Sequence, residues 1–571
     1  MTQSTRRNLI AKYLYIGAPI VTVTVVAGPV LDPVNVSKLL ILGMTSMAII
    51  FLMISSNILK IFKTFKSFTS FLIAFAVFGF VSMIASSSPL SQNFYGEYGR
   101  NTGFLTYFFF VVLTLASLTL ISIEHFQKLI YGLLAAGLIN VIYGIWVKVI
   151  GDPIPWNNNY GALLGTFGNP NFAGAFFGMI TTAALAFGLA PHFNWKFKLG
   201  CLVFAAISFY ENLQTHAVQG MVVTFAGIAL IGFFFLKSKF ESSKILFGYT
   251  ISILTAGAFA IAGALQVGPL QNLIYKRSVS LRGVYWEAGL NMGLNHPLTG
   301  VGMDGYGDWY TRSRSLKAVN ELPGAGVVSN AAHNIFIDIF AYGGFPLFFA
   351  YFFIILATLL SILRFSVSMR SYDWTFVTLV VSWSCYQLQS FISINQIGIA
   401  IWGWILSGAI MAYTRHFGEN SGSREANPVN LGRKNTMTMN LQSENLPLGL
   451  IAFVGAIVGA LISIPPYMAD SKWVTAQKTM NLEMLKKALS PDYFNPSNSI
   501  KFQSAVRLLE NSNLPEEAIL FARRGVVFNP NELDAWKMLY YATNSSLMER
   551  ARAKAELIRL DPLNTAWKEL P

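Results

Sequence analysis

Charged residues are scarce in this sequence. Only 12% of its 571 residues are charged, whereas 54% are hydrophobic, and the mean hydropathy is +0.50. A chain with so little charge cannot cover the surface of a soluble globule of this length. The composition therefore excludes a soluble protein and indicates a polytopic membrane protein.

Cysteines and clustered acids are also few. The two cysteines, Cys201 and Cys385, lie inside apolar runs, which excludes a disulfide framework and a thiolate metal site. Acids in the polar segments, such as Glu97, Asp304 and Asp308, stand apart in sequence. Because Mg²⁺ and Mn²⁺ need several oxygen ligands together, we expect no metal and no other cofactor.

Long apolar runs dominate what is present. A helix needs about 20 apolar residues to cross a hydrocarbon core of roughly 30 Å, so we predict about thirteen transmembrane helices in an all-α, polytopic helical bundle. Their approximate spans are 13–30, 38–58, 69–88, 103–122, 129–150, 170–190, 198–211, 217–236, 245–266, 333–363, 374–392, 397–414 and 447–465.

Lysine and arginine are distributed asymmetrically between the connections. With a cytoplasmic N-terminus, eighteen of them lie inside, and the short outer loops hold only Lys38, Arg100 and Lys148. This bias predicts that orientation. The net charge of +14 then reflects cytoplasmic loops facing anionic membrane lipids, and we predict no nucleic-acid partner.

The predicted orientation sets the domain organisation and places the polar segments outside the cytoplasm. The predicted parts are a transmembrane domain at 1–414 with an outer loop at 267–332, a cytoplasmic linker at 415–446, a last span at 447–465 and an extracytoplasmic helical domain at 466–571.

Three outer motifs carry the unusual residues. In "GTFGNPNFAG", Asn169 and Asn171 flank a proline, and the turn can present amides to a ligand or start a helix. At 280–294 the apolar spacing predicts an amphipathic helix on the membrane, with Arg282 and Trp286 on one face. The glycines at 300–307 allow the backbone to approach a ligand closely, but the Lys-Ser/Thr ending of a P-loop is missing.

The third motif is "SNAAHNIFIDIFAYGG", at 329–344. A span starting near His333 puts Asn334 at its entry and Asp338 one turn inside, where it is the only acid well within a predicted span. An ionisable residue in a membrane is a functional candidate. The alternatives are an interfacial helix cap for His333 and a partly hydrated helix end for Asp338.

Together these motifs resemble the O-antigen ligase and polymerase superfamily of bacterial membrane glycosyltransferases. The resemblance rests on "GTFGNPNFAG", on "RGVYW" followed by "HPLTGVGMDGY", and on "HNIFIDIFAYGGFPLFF", and it covers roughly residues 95–405. It implies a GT-C type bundle in the bacterial cytoplasmic membrane with an extracytoplasmic active face. It also implies metal-independent, inverting transfer of a glycan from undecaprenyl pyrophosphate to a hydroxyl of a glycan, lipid or protein.

Site residues follow from the resemblance position by position. Arg282 is similar to the loop arginine that contacts the donor pyrophosphate, and His333 to the histidine that orients or deprotonates the acceptor. The remaining residues expected to bind substrate are Arg100, Asn169, Asn171, Gln219, Trp286, Asn334 and Asp338. One departure from the family is Gln219 in "THAVQGM", where a second donor arginine is expected, so the donor site is less cationic.

The C-terminal region shows a weak period. Asn495-Pro496, Asn529-Pro530 and Asp561-Pro562 are spaced by 34 and 32 residues, which predicts about two tetratricopeptide-like helix pairs. Such repeats form concave surfaces that could bind a protein partner. A small packed helical cap without a ligand is the alternative.

Two other functions compete with glycosyl transfer. A transporter of lipid-linked sugars is expected to carry ionisable residues near the bilayer midplane, whereas here they cluster at the outer surface. A mere membrane anchor for the repeat region leaves Arg282 and His333 unexplained. Within the transferase reading, ligase and polymerase both remain open.

Overall fold

The computed structural model describes residues 3–54, 63–156, 158, 161–240, 242–274, 277–418, 447–479 and 481–571. Within these ranges the chain forms helices and loops and no β-strand, which confirms the all-α fold class. The predicted linker at 415–446 lies, beyond Gly418, outside the described residues.

The first part of the chain contributes the bundle and the helices of its loops. These are α1 Gln3–Val23, α2 Asn35–Ile54, α3 Lys66–Ala85, α4 Leu90–Tyr95, α5 Phe104–Ser117, α6 Ile123–Val149, α7 Pro170–Gly188, α8 Trp195–Gln214, α9 Val218–Lys239, α10 Ser243–Ala264, α11 Gln271–Ile274, α12 Arg277–Asn295, α13 Tyr306–Ser313, α14 Leu316–Asn320, α15 Ile335–Ser368, α16 Trp374–Ser390 and α17 Ile397–Gly418.

Every predicted span overlaps a helix. Within the described residues eight helices are long and apolar enough to cross a membrane, and a ninth is added if the bent pair Leu448–Ser463 and Pro465–Thr479 counts as one span. The others are shorter or less apolar, as at α5. The protein is therefore a multi-pass membrane protein, and the number thirteen stays a prediction.

The helix that follows the third motif differs from the prediction. It begins at Ile335 rather than His333 and is not continuous, because Gly344 leaves helical geometry with φ 62° and ψ −158°. A Cβ at Gly344 would lie 2.3 Å from the Pro297 carbonyl oxygen, so only glycine fits this break. Asp338 consequently lies in a short helical segment before the break and not within one continuous span.

The amphipathic helix predicted at 280–294 is confirmed as α12. Its inner face buries Ala288 and Met292 completely, whereas Leu290 and Leu294 remain 44% and 59% exposed. An apolar surface of this kind suits contact with lipid, and the membrane contact itself stays a prediction.

The C-terminal part is also helical. Its helices are α18 Leu448–Ser463, α19 Pro465–Thr479, α20 Leu482–Ala488, α21 Ser499–Asn511, α22 Pro515–Phe528, α23 Leu533–Tyr541, α24 Leu547–Leu560 and α25 Ala566–Glu569. A hydrophobic core separate from that of the bundle runs from Trp473 to Leu560. The tetratricopeptide-like assignment stays a prediction.

Two of the three periodic turns, Asn529-Pro530 and Asp561-Pro562, dock onto the bundle. Asn529 donates a hydrogen bond to Asp308 at 3.0 Å, and Asp561 forms an ion pair with Arg314 at 2.7 Å in which both side chains are fully buried. Asn531 donates to the Ser87 carbonyl at 3.0 Å. These two turns therefore hold the C-terminal region on one end of the bundle. This end, which includes Ser87, Asp308 and Arg314, is called here the loop face.

Candidate active site

Asp304 joins three segments of the loop face. One oxygen of its buried carboxylate accepts hydrogen bonds from the Glu97 backbone amide at 2.8 Å and the Thr102 hydroxyl at 3.1 Å. The other accepts from the Tyr342 hydroxyl at 3.0 Å. Asp304 thereby fixes the loop that carries Arg100 against the start of α15. Sequence reasoning treated it as an isolated acid.

The glycine-rich stretch at 300–307 packs against the same part of α15. Val301 and Gly302 donate backbone hydrogen bonds to the carbonyls of Ala341 and Tyr342, at 2.9 and 3.1 Å. A Cβ at Gly300 would lie 2.2 Å from the Tyr342 carbonyl oxygen. At these positions the glycines permit close approach to the protein's own helix, and approach to a ligand stays a prediction.

His333 lies directly before α15. Its backbone has φ 57°, a left-handed conformation that is uncommon for a residue with a side chain. The half-buried imidazole stacks on Tyr285 of α12, with ring centroids 5.8 Å apart. The site is therefore assembled from α12 and the turn before α15, although sequence reasoning did not identify Tyr285.

Two arginines converge on this histidine. Arg100 donates a hydrogen bond to the Asn330 carbonyl at 2.7 Å, and half-buried Arg282 comes from α12. Burial and the positive charges of Arg100 and Arg282 lower the pKa of His333 to about 4. The imidazole is thus neutral at neutral pH and free to accept a proton. Burial also lowers the pKa of Arg282.

Asn334 and Asp338 hold the turn that carries His333. The Asn334 side chain caps α15 by accepting from the Phe336 amide at 3.0 Å. Asp338 accepts from the Ala332 amide at 2.6 Å. These contacts position His333, and a direct contact of either residue with substrate stays a prediction.

Trp286 follows Arg282 by one helical turn. Its indole Nε1 is buried and has no hydrogen-bond partner among the described residues. Because a buried indole N–H usually finds a partner, a substrate oxygen is a chemically suitable acceptor, and the predicted binding role of Trp286 remains a prediction.

Asn169, Asn171 and Gln219 form a second group. The Asn169 side chain caps α7 and accepts from the Asn171 amide at 2.9 Å, as expected for helix initiation. Gln219 donates to the Asn171 carbonyl at 2.8 Å, and its buried Oε1 has no partner among the described residues. The predicted substrate contacts of these residues are not tested by these internal bonds.

The residues at the His333 turn can support the transfer of a group from a phosphate leaving group to a hydroxyl. A neutral imidazole can take a proton from an attacking hydroxyl, and two guanidinium groups can stabilise the negative charge of a leaving phosphate. Within the described residues no group of three or more His, Cys, Asp or Glu is arranged to hold a metal ion.

Comparison with known proteins adds a family. Residues 202–352 match the family described as O-Antigen ligase, and this segment includes Arg282 and His333. A search of curated proteins found no match. The matched segment is thus similar to an O-antigen ligase domain and supports the resemblance to that superfamily.

Proposed function

We propose that this protein is an inverting glycosyltransferase that moves a glycan from undecaprenyl pyrophosphate to a hydroxyl acceptor during assembly of a surface polysaccharide or glycoconjugate. The observation that carries the proposal is that His333 stacks on Tyr285, on the helix that bears Arg282, while Arg100 donates to the Asn330 carbonyl of the same turn. The family assignment supports it by implying a lipid-linked glycan donor, an acceptor and a membrane setting.

The chemistry assigns one role to each group. The acceptor hydroxyl oxygen attacks the anomeric carbon, and the bond from that carbon to the pyrophosphate oxygen breaks. His333 takes the hydroxyl proton as general base. Arg282 and Arg100 stabilise the charge that develops on the leaving pyrophosphate. Attack opposite the leaving group inverts the anomeric centre.

Location follows from the charge distribution of the connections. The positive-inside bias places the loop face outside the cytoplasm, so we assign the reaction to the outer surface of a bacterial cytoplasmic membrane. The exposed leucines of α12 fit a helix resting on that surface, near a lipid-linked donor.

The first experiment compares lipid-linked glycans in cells with and without the protein. A polymerase predicts that its loss leaves single repeat units on the lipid carrier, and a ligase predicts long chains stranded there. Unchanged lipid-linked and surface glycans would contradict the proposal. In each case the wild-type gene, returned to the cells, must restore the original distribution.

A further inference from the structure

A cavity of about 50 Å³ lies between the bundle and the docked C-terminal region. Because a cavity needs roughly 10–15 Å³ for each water that it holds, this one has room for about three to five waters. That space suits the hydroxylated edge of one sugar ring. Its polar lining comes from both walls: Glu97, Asn101 and Asp308 of the bundle, and Ser497, Lys501 and Glu532 of the C-terminal region.

Lys501 is the unexplained cation of this cavity. Its side chain is only 3% exposed, and its backbone amide donates to the Asn498 side chain at 3.0 Å. In the described part of the chain its ammonium has no hydrogen-bond or ion-pair partner. An unpaired buried ammonium is costly, so a ligand that accepts hydrogen bonds would relieve that cost.

Asp470 is the acid whose charge acts on Lys501, but its hydrogen bonds go elsewhere. One of its oxygens accepts from the Tyr98 hydroxyl at 2.8 Å. The other accepts from the backbone amides of Leu31 and Asp32, at 2.8 and 2.9 Å. These bonds attach α19 to the start of the bundle, and none of them involves the Lys501 ammonium.

Asn101 is the unexplained acceptor on the opposite wall. Its side chain is 3% exposed, and its Oδ1 has no partner among the described residues. Its backbone φ of 54° holds it directly after Arg100, which reaches the His333 turn through Asn330. One wall of the cavity is therefore one residue from Arg100 of the candidate active site and carries an unpaired acceptor, while Lys501 is an unpaired donor on the other wall.

The carboxyl groups of the lining suit a neutral polyol. Burial, followed by repulsion from Asp308 and other acids, raises the pKa of Glu97 well above its usual range. Burial and Asp308 likewise raise the pKa of Glu532 to about 8. Carboxyl groups that stay protonated both donate and accept hydrogen bonds, as sugar hydroxyls do.

We propose that this interdomain cavity is a glycan subsite, in which Lys501 donates to and Asn101 accepts from the hydroxyls of one sugar residue. The proposal rests on the glycosyltransferase function above and gives the C-terminal region a direct part in substrate binding. The sugar can belong to the donor glycan or to the acceptor glycan, since both present the same hydroxyls.

The test measures binding to purified full-length protein. The probe is the oligosaccharide released by mild acid from the lipid-linked glycan of the source cells. We expect Lys501→Met and Asn101→Gly to weaken its binding at least tenfold, and Lys486→Met, which removes a lysine paired with Glu517, to leave it unchanged. Separate KM values for lipid-linked donor and for acceptor then show which glycan occupies the subsite.

Thermal stability separates binding from folding. Lys501→Met removes an unpaired buried charge, so its melting temperature should equal or exceed that of the wild type. If Lys501→Met does not fold, Asn101→Gly decides, because glycine keeps the left-handed backbone. Wild-type binding by a folded variant, or no binding by an active wild type, would overturn the subsite and leave the proposed function standing. If the wild-type protein transfers no glycan, the proposed function itself is contradicted.

Discussion

Two places on the loop face hold buried charged residues. At one of them the charges form an ion pair, and at the other they do not. At the domain junction, Arg314 is matched by Asp561, and both side chains are fully buried. At the candidate active site, burial and the nearby charges of Arg100 and Arg282 lower the pKa of His333 and keep it neutral. Matched charge fixes structure, whereas unmatched positive charge is available to an anionic substrate. The contrast separates the residues that anchor the C-terminal region from those that we propose to act in catalysis.

The largest effect is expected from breaking the matched pair. Arg314→Ala leaves Asp561 buried without its partner, which should cost about 3–5 kcal/mol of stability. Arg314 also donates to the carbonyl of Ala325 at 3.1 Å, so the loop before His333 should loosen. Thermal unfolding of the detergent-purified variant measures the loss.

A double variant serves as the control for that pair. Replacing both Arg314 and Asp561 with leucine removes both charges and should recover most of the lost stability. A double variant as unstable as Arg314→Ala would mean that the two side chains stabilise the protein through contacts other than their ion pair.

Removing an arginine from the candidate active site should lower the transfer rate and leave the stability unchanged, which is the reverse of the effect at the ion pair. Arg282→Ala is expected to lower the transfer rate about 10²–10³-fold, the usual cost of removing one group that stabilises transition-state charge, while the melting temperature stays unchanged. Arg559→Ala, which removes an exposed arginine paired with Glu556, is the matched control. A stable Arg282→Ala protein with full transfer would contradict the assignment.

The pH dependence should report the charges around His333. Since its pKa is about 4 instead of 6.5, the imidazole is deprotonated at neutral pH, and transfer should fall only well below pH 6.5. Arg100→Gln removes a repulsion from the protonated ring, so the pKa should rise and transfer should begin to fall at a higher pH. The acid limb of the transfer rate measures this shift. The control is Arg552→Gln, which changes an arginine that lies over the Trp536 ring in the C-terminal region.

The smallest effect should come from the junction at Asp304. Tyr342→Phe removes one of its hydrogen bonds, which should cost about 1 kcal/mol of stability and lower the transfer rate less than tenfold. The same substitution at Tyr372, which donates to the Ala186 carbonyl away from the loop face, should leave the transfer rate unchanged. A loss as large as that of Arg282→Ala would assign Tyr342 a more direct role.

Sequence reasoning found the helices because apolar length and periodicity are local signals. It predicted Arg100, Arg282 and His333 as site residues through motif order, which no composition argument supplies, and their roles stay predictions. It missed the break at Gly344 because the hydropathy of α15 is continuous across "AYGGFP", although glycine followed by proline was a visible signal. The role of Asp304 was not predictable, since an isolated acid gives no indication of its partners.

Long-range docking was beyond the sequence for the same reason. Arg314 and Asp561 are 247 residues apart, and nothing local pairs them. The periodic Asn-Pro and Asp-Pro turns were recognised and assigned to a repeat. Their contacts with Asp308 and Arg314 depend on how two separately folded cores meet, which tertiary packing alone decides.

The central claim, that His333 is the general base, is tested most directly by glycan transfer with purified His333→Ala. The matched control is His296→Ala, which removes a histidine that packs edge-on against Trp309. We predict that His333→Ala folds as the wild type does and transfers no glycan, while His296→Ala retains transfer. Wild-type transfer by a folded His333→Ala protein would contradict the account.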